Sequence, residues 1–237
     1  MVEEMMKRFS FPYRVFPAGT PYLEIMDEYD SRFEAGKSEG FIPVLIPVDD
    51  ILDEYWNTIL EEDYNAEDII AAASSEAGKE FLDNRYRQYL DGYGISEESF
   101  IGSFDGPGQD IYEYTAICRM GTNETVQTIM AEVPATEGWQ VVARLPFGGW
   151  NECPDIQDMA NVCKYWFDKY GAVPVTISHD VMEMHVRGAI SDETALELAK
   201  EHYAFTPDRV DQCTVSGMLD EVAKCIQESS VWYFWWD

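Results

Sequence analysis

The stretch richest in groups that could do chemistry is Leu145-Pro146-Phe147-Gly148-Gly149-Trp150-Asn151-Glu152-Cys153-Pro154. Its adjacent glycines permit positive φ or a close backbone approach. Trp150 would anchor the loop in the core. Asn151, Glu152 and Cys153 then stand just ahead of a helix start, where exposed N–H groups favour anions. The functional reading is a small-ligand or peptide site; the structural reading, which carries more weight, is that Asn151 or Glu152 caps the helix. A thiol at a helix N-terminus has a lowered pKa, so Cys153 is a nucleophile candidate. It would need a histidine base, and His179, His185 and His202 are all distant in sequence.

A second cluster is Glu201, His202, Asp208 and Asp211. Glu201-His202 closes a helix, where an imidazolium is stabilised, and Asp208 after Pro207 suits a turn or cap. The pair could do acid–base work, although fastening the chain beneath the terminal aromatics is favoured. In an extended segment His179, Val181, Glu183 and His185 would share a face and could offer ligands to a metal. A turn at His179-Asp180 would take His179 off that face, so no metal is expected. The acids Asp49, Asp50, Asp53, Glu54, Glu61, Glu62 and Asp63 lack the glycine and alternating oxygens of a calcium loop. No phosphate-binding, dinucleotide, zinc-protease or nucleophile-elbow motif occurs, so no cofactor is expected.

These residues need elements to hold them. Helical spacing at Tyr22, Leu23, Ile25, Met26, Tyr29 and Phe33 predicts a helix over 20–36, with Thr20-Pro21 as cap and first turn and Gly36 and Gly40 as its end. Phe41 to Val48 reads as a buried strand, and Asp49-Asp50 cap a helix to about Leu60. A third helix runs from Ala66 to Leu90 with a break near Gly78. Residues 91–110 form a loop. Ile111 to Met120 and Glu124 to Glu132 read as a hairpin, and Gln140 to Leu145 as a further strand. Pro154-Asp155 opens a helix to Tyr170 that Gly171 ends. Val173 to Ser178 and Val181 to Arg187 are strands. Ser191 caps a helix through Tyr203, with Glu193 or Thr194 near the capping-box position. Val215 to Gln227 is the last helix.

The chain closes on Trp232, Tyr233, Phe234, Trp235, Trp236 and Asp237. Packed aromatics bury about 150–250 Å² each, so this tail reads as a core strand. The two halves also echo each other: Gly40-Phe41-Ile42-Pro43-Val44-Leu45-Ile46 and Gly171-Ala172-Val173-Pro174-Val175-Thr176-Ile177 each follow a helix and precede acids.

Gly148 to Pro154, Tyr165-Trp166, Tyr170-Gly171-Ala172, Ala199-x-Glu201-His202-Tyr203 with Pro207-Asp208, and the Trp-Trp-Asp ending together resemble the bacterial DUF4253 family over about residues 139–237. Residues 20–48 look like the upstream part often attached to that domain. The family is one of unknown function, so the resemblance implies no activity and no catalytic residue.

At 237 residues and 46% hydrophobic content the chain can bury a sizeable core. The expected class is α+β, a mixed sheet with packed helices and the aromatic strand inside it. Residues 1–138 form an acidic amino-terminal region and 139–237 the DUF4253-like domain, or the two are one continuous domain. No apolar run is long enough to span a membrane, and no apolar leader segment follows Met1. Five cysteines without a C-x-x-C pair point to reduced thiols. A cytoplasmic location is expected.

Net charge is −29. Residues 1–138 hold 29 acidic against 9 basic side chains, residues 139–237 hold 16 against 7. Such a field repels nucleic acid and steers basic partners inward. The leading expectation is a non-enzymatic binding protein that engages a basic protein through its acidic first half. The alternative is an enzyme or small-ligand binder at Trp150–Cys153, completed by Glu201, His202 and Asp208.

Overall fold

The computed structural model describes residues 2–61, 64–188 and 190–237, without the side chains of Glu61, Glu193 and Glu228. Glu62 and Asp63 of the acidic run lie outside the described residues, as do the side chains of Glu61 and Glu193.

In chain order the first elements are α1 (Val2–Met6), β1 (Tyr13–Phe16), α2 (Tyr22–Glu39), β2 (Phe41–Pro47) and α3 (Asp50–Glu61). Then come α4 (Ala66–Ala72), α5 (Ser75–Tyr93), α6 (Glu97–Ile101) and β3 (Thr128–Pro134). A 3-10 turn at Gly138–Gln140 leads into α7 (Val141–Arg144), followed by α8 (Ile156–Tyr170), β4 (Val173–Ile177) and β5 (Val181–His185). The chain closes with α9 (Asp192–Phe205), α10 (Asp208–Asp211), α11 (Leu219–Glu228) and β6 (Val231–Trp235).

The fold is α+β around one mixed sheet of order β1-β3-β2-β4-β5-β6. The central pair β2 and β4 is parallel, with Leu45 opposite Thr176, and the other neighbours are antiparallel. The echoed Gly-Pro-Val strands thus lie side by side. Each follows a helix closed by a left-handed glycine, Gly40 after α2 and Gly171 after α8. One sheet face carries the larger core, where residues of α8, α9 and α11 meet the tail aromatics. The other face is covered by Ile25 and Tyr29 of α2 and by Tyr114 and Ile117, packed against Leu45, Met130, Val175 and Val231.

The tail is interior, as its composition implied. Trp232, Phe234 and Trp236 are at most 1% exposed, and Trp166 stacks on Phe234 at 5.2 Å between ring centres. Strand alternation sends Tyr233 and Trp235 to the opposite face, where they are half-buried.

Several local expectations need correction. The α2 cap is Pro21, without a side-chain hydrogen bond, and Gly36 lies inside the helix, its Cα against Phe41. The third helix breaks at Ala73-Ser74: Gly78 lies within α5, where the backbone of Asn161 approaches so closely that only glycine fits. The hairpin over 111–132 is a single isolated bridge, Cys118 to Thr125; only Thr128–Pro134 is a strand, and it pairs with β1 and β2. The 111–118 segment is tied by main-chain bonds at Ile111 and Ile117 and by side chains, chiefly Glu183. Residues 141–144 are helical because Glu137 and Gln140 cap the turn before them reciprocally. Asp155, not Asn151 or Glu152, caps α8 by accepting from the Asp158 N–H at 2.8 Å. The last helix starts at Leu219, since the Glu221 carboxylate holds the N–H groups of Val215 and Ser216 in the preceding loop.

Candidate functional site

Parallel strands bring equivalent ends together, and in open sheets the crevice beyond their carboxyl ends is the usual ligand position. Beyond β2 the chain runs Val48-Asp49; beyond β4 it runs Ser178-His179-Asp180. Between them and the loop Thr115–Val126 opens a cavity of about 680 Å³, with Tyr233 and Trp235 of β6 in its wall.

Asp49 does two things. Its Oδ1 accepts from the N–H groups of Ile51 and Leu52 at 2.8 and 3.0 Å, capping α3. Its Oδ2 lies 2.6 Å from His179 Nδ1. The His179 Nε2 lies 3.5 Å from Asp180 Oδ2. Asp180 is held in turn by the Trp235 indole N–H at 3.0 Å and by the Ser178 hydroxyl at 3.0 Å. The hydrogen bond to Asp49, against the desolvation of a half-buried ring, raises the His179 pKa above 6.5. Burial pushes the Asp49 carboxyl up, but the His179 bond and the two cap N–H groups prevail and hold it below its usual value.

Behind the cavity wall lies Glu183, fully buried in β5. It accepts from the Thr115 and Ala116 N–H groups and from the hydroxyls of Thr115 and Thr176, at 2.6–3.3 Å. Burial raises its pKa, and those donors oppose the rise without cancelling it. Glu183 therefore fastens the 111–118 segment to the sheet and sets the position of the wall.

The residues singled out from the sequence stand elsewhere, against separate partners. Trp150 packs between Tyr55 and Phe147. Gly148 and Gly149 do take positive φ, 115° and 90°, and Asn151 joins them at 45°. The Asn151 amide donates to the Asp237 backbone oxygen, and Asp208 accepts from the Asp237 N–H at 3.1 Å. The glycine-tryptophan loop and the start of α10 thus converge on Asp237. Glu152 turns away to Arg85 at 3.0 Å and Tyr89 at 2.6 Å on α5, and the Tyr89 bond lowers its pKa despite partial burial. Cys153 is buried, which drives its thiol pKa far up. Glu201, buried, accepts from the Tyr165 hydroxyl at 2.8 Å and the Trp166 indole at 2.9 Å, and burial raises its pKa. His202 is buried against Trp166, Trp232 and Phe234.

His179 sits in the turn between β4 and β5, its ring directed to Asp49, while Glu183 lies beneath Thr115 and Ala116 on the same sheet face as Tyr233. Among the described residues no group of three or more His, Cys, Asp or Glu is placed to hold a metal ion. The Asp49–His179 pair could have been found from one signal: the two echoed strands, if they are parallel neighbours, must bring the polar residues following each of them together.

Residues 129–237 match the family model of DUF4253, a domain of unknown function. The match begins ten residues before the resemblance read from the motifs and so takes in nearly all of β3. No curated protein and no solved structure matches the chain. No helix among the described residues is long and apolar enough to cross a membrane.

Proposed function

We propose that the protein is a binding module whose cavity beyond β2 and β4 receives a basic group, an ammonium or guanidinium presented by a protein partner. The observation that carries this reading is the pairing of Asp49 and Asp180 around His179, beside Trp235 and Tyr233, in one cavity. Carboxylates supply charge-assisted hydrogen bonds, and aromatic faces attract cations. An anion would meet two carboxylates in a chain of net charge −29, whose field raises the arrival rate of a basic partner. A reducing, cytoplasmic setting fits the five free cysteines.

The test is calorimetric titration with N-acetyl-lysinamide and N-acetyl-argininamide. A cation competes with the proton on His179, so binding should strengthen as pH rises past the raised His179 pKa, and should weaken with added salt. Asp49→Asn keeps the helix cap, since asparagine also caps well, and Asp180→Asn keeps an acceptor for Trp235. Together they should abolish the signal. Equal affinity in the double variant would remove the cavity from consideration.

A second reading, an enzyme or small-ligand binder, draws its support from the same pair rather than from Trp150–Cys153. A carboxylate-oriented imidazole is the arrangement of a general base, whereas the buried Cys153 thiol is kept protonated and so is a poor nucleophile.

A further inference from the structure

We infer that the partner contributes an extended basic polypeptide segment, which lies in a trough around residues 110–116 with a basic side chain in the Asp49–Asp180 cavity and an apolar one between α2 and Tyr112. This rests on the preceding reading of the cavity and adds what kind of molecule carries the basic group.

The trough is a chain of three cavities of about 680, 450 and 570 Å³. The first and second share Thr115 and Tyr233 as wall; the second and third share Tyr112 and Glu113. A single small molecule fills one such space. A polypeptide in extended form, whose alternate side chains point the same way, fills successive ones.

The polarity of the walls fits such an occupant. Among the described residues six carboxylates border the three cavities, those of Asp30, Glu34, Asp49, Asp110, Glu113 and Asp180, against two permanent cations, Arg119 and Arg187. Arg119 is already 3.6 Å from Glu124. Exposed apolar side chains also gather here: Leu23 is 72% exposed, Tyr112 57% and Met120 94%, and each borders one of the three spaces. A basic segment with interspersed apolar residues meets both features.

The sheet edge supplies main-chain groups in the same place. β6 is an outer strand. The Ser230 oxygen and Trp236 N–H point toward the β5 side, bonding Val186 and Asp180, whereas the Val231 N–H bonds Ile111 and the Trp235 oxygen accepts from Thr206 on the outer side. By alternation the N–H and C=O of Tyr233 point outward between those two anchors, beside the shared wall of the first two cavities. Pairing of an extended segment with a strand edge is a recurrent mode of peptide recognition.

The probes are N-acetyl-lysinamide and two capped octapeptides, a lysine–leucine peptide (Lys-Ser-Leu-Ser twice) and a lysine–serine peptide (Lys-Ser-Ser-Ser twice), so that in the first a leucine stands two residues from each lysine and points the same way. Titrations use the full chain, the groove variant Leu23→Ser/Tyr112→Ser, the cavity variant Asp49→Asn/Asp180→Asn, and a charge control on α5, Glu76→Gln/Glu80→Gln. The lysine–leucine peptide should bind about 10-fold tighter than the lysine–serine peptide, the worth of roughly one packed apolar side chain. The groove variant should erase that preference and leave N-acetyl-lysinamide unchanged, whereas the cavity variant should weaken all three probes. Hydrogen exchange at the Tyr233 amide should slow when the lysine–leucine peptide is bound. Equal binding of the two peptides, or a loss in the charge control as large as in the cavity variant, overturns the trough. N-acetyl-lysinamide binding then still decides the cavity by itself, so the two readings fail separately. The substituted groove side chains are mostly exposed, and an unchanged thermal midpoint confirms that the variants fold.

Discussion

The imidazole of His202 is enclosed by Trp166, Trp232 and Phe234, with neither ring nitrogen hydrogen-bonded among the described residues. Burial, reinforced by Arg209, drives its pKa well below 6.5. The folded protein therefore binds this proton less readily than the unfolded chain, and stability falls as pH drops below about 6.5. His179 behaves in the opposite sense: its raised pKa contributes stability that is complete below 6.5 and lost as pH rises through the folded value. Replacing His202 by leucine removes the first effect and keeps the second. The His202→Leu variant should lose less stability than the parent between pH 7 and pH 5, measured by urea unfolding at both values. An equal loss would mean that other groups dominate the acid limb. Glu183 offers a second check at this scale. Glu183→Ala removes the acceptor of the buried Thr176 hydroxyl and of the part-buried Thr115 and Ala116 N–H groups and should destabilise by about 1–3 kcal/mol. Glu183→Gln leaves an acceptor for the Thr115 and Ala116 N–H groups and should cost less.

At the scale of elements, α5 and α8 form an extensive helix contact, fixed at its start by the Asn161 side chain accepting from the Ser74 N–H at 2.9 Å. Gly78 is what lets the helices approach. A Cβ there would stand 2.2 Å from the Asn161 carbonyl oxygen, a backbone atom that cannot swing aside. In an unconstrained helix Gly→Ala gains about 0.5–1 kcal/mol. Here Gly78→Ala should instead destabilise by about 1–3 kcal/mol, read from the shift in urea midpoint. A stabilised variant would show that the helices can separate without loss. The same glycine explains why a helix break was expected at that point: glycine as breaker and glycine as contact are identical in a sequence. The short helix over 141–144 differs, because its signal was present. Glu137 and Gln140 have the spacing of a reciprocal cap, but Val141-Val142 favours a strand on propensity alone.

For the whole molecule, the sheet runs without interruption across residue 138. β2, from the acidic first half, lies between β3 and β4, and the Trp56 indole of α3 donates to the Pro146 oxygen at 3.0 Å. The segment matching the family model, 129–237, contains β3 and β4 but not the strand that joins them. Expressed alone, 129–237 should fail to give a dispersed amide spectrum, and co-expression with 1–128 should restore one. A well-dispersed spectrum from 129–237 alone would establish an independent domain. The negative field is also a property of the whole chain, which is why binding of any basic probe should fall with ionic strength.

Composition and periodicity alone determined the α+β class, the burial of the aromatic tail, α8 and its glycine stop, and the strand–turn–strand at 173–187. Those features depend on neighbours along the chain and on apolar area that must leave water. Only the tertiary structure decided which polar residues meet. Asp49 and His179 are 130 positions apart, and their contact exists because two strands of different halves align in parallel at the sheet centre. Asn151, Glu152, Glu201, His202 and Asp208 look alike in sequence as chemical groups, yet packing assigns them to Asp237, α5, two aromatic donors, an aromatic enclosure and Asp237 again. A side chain's partner is set by the path of the whole backbone, and local spacing carries no record of that path.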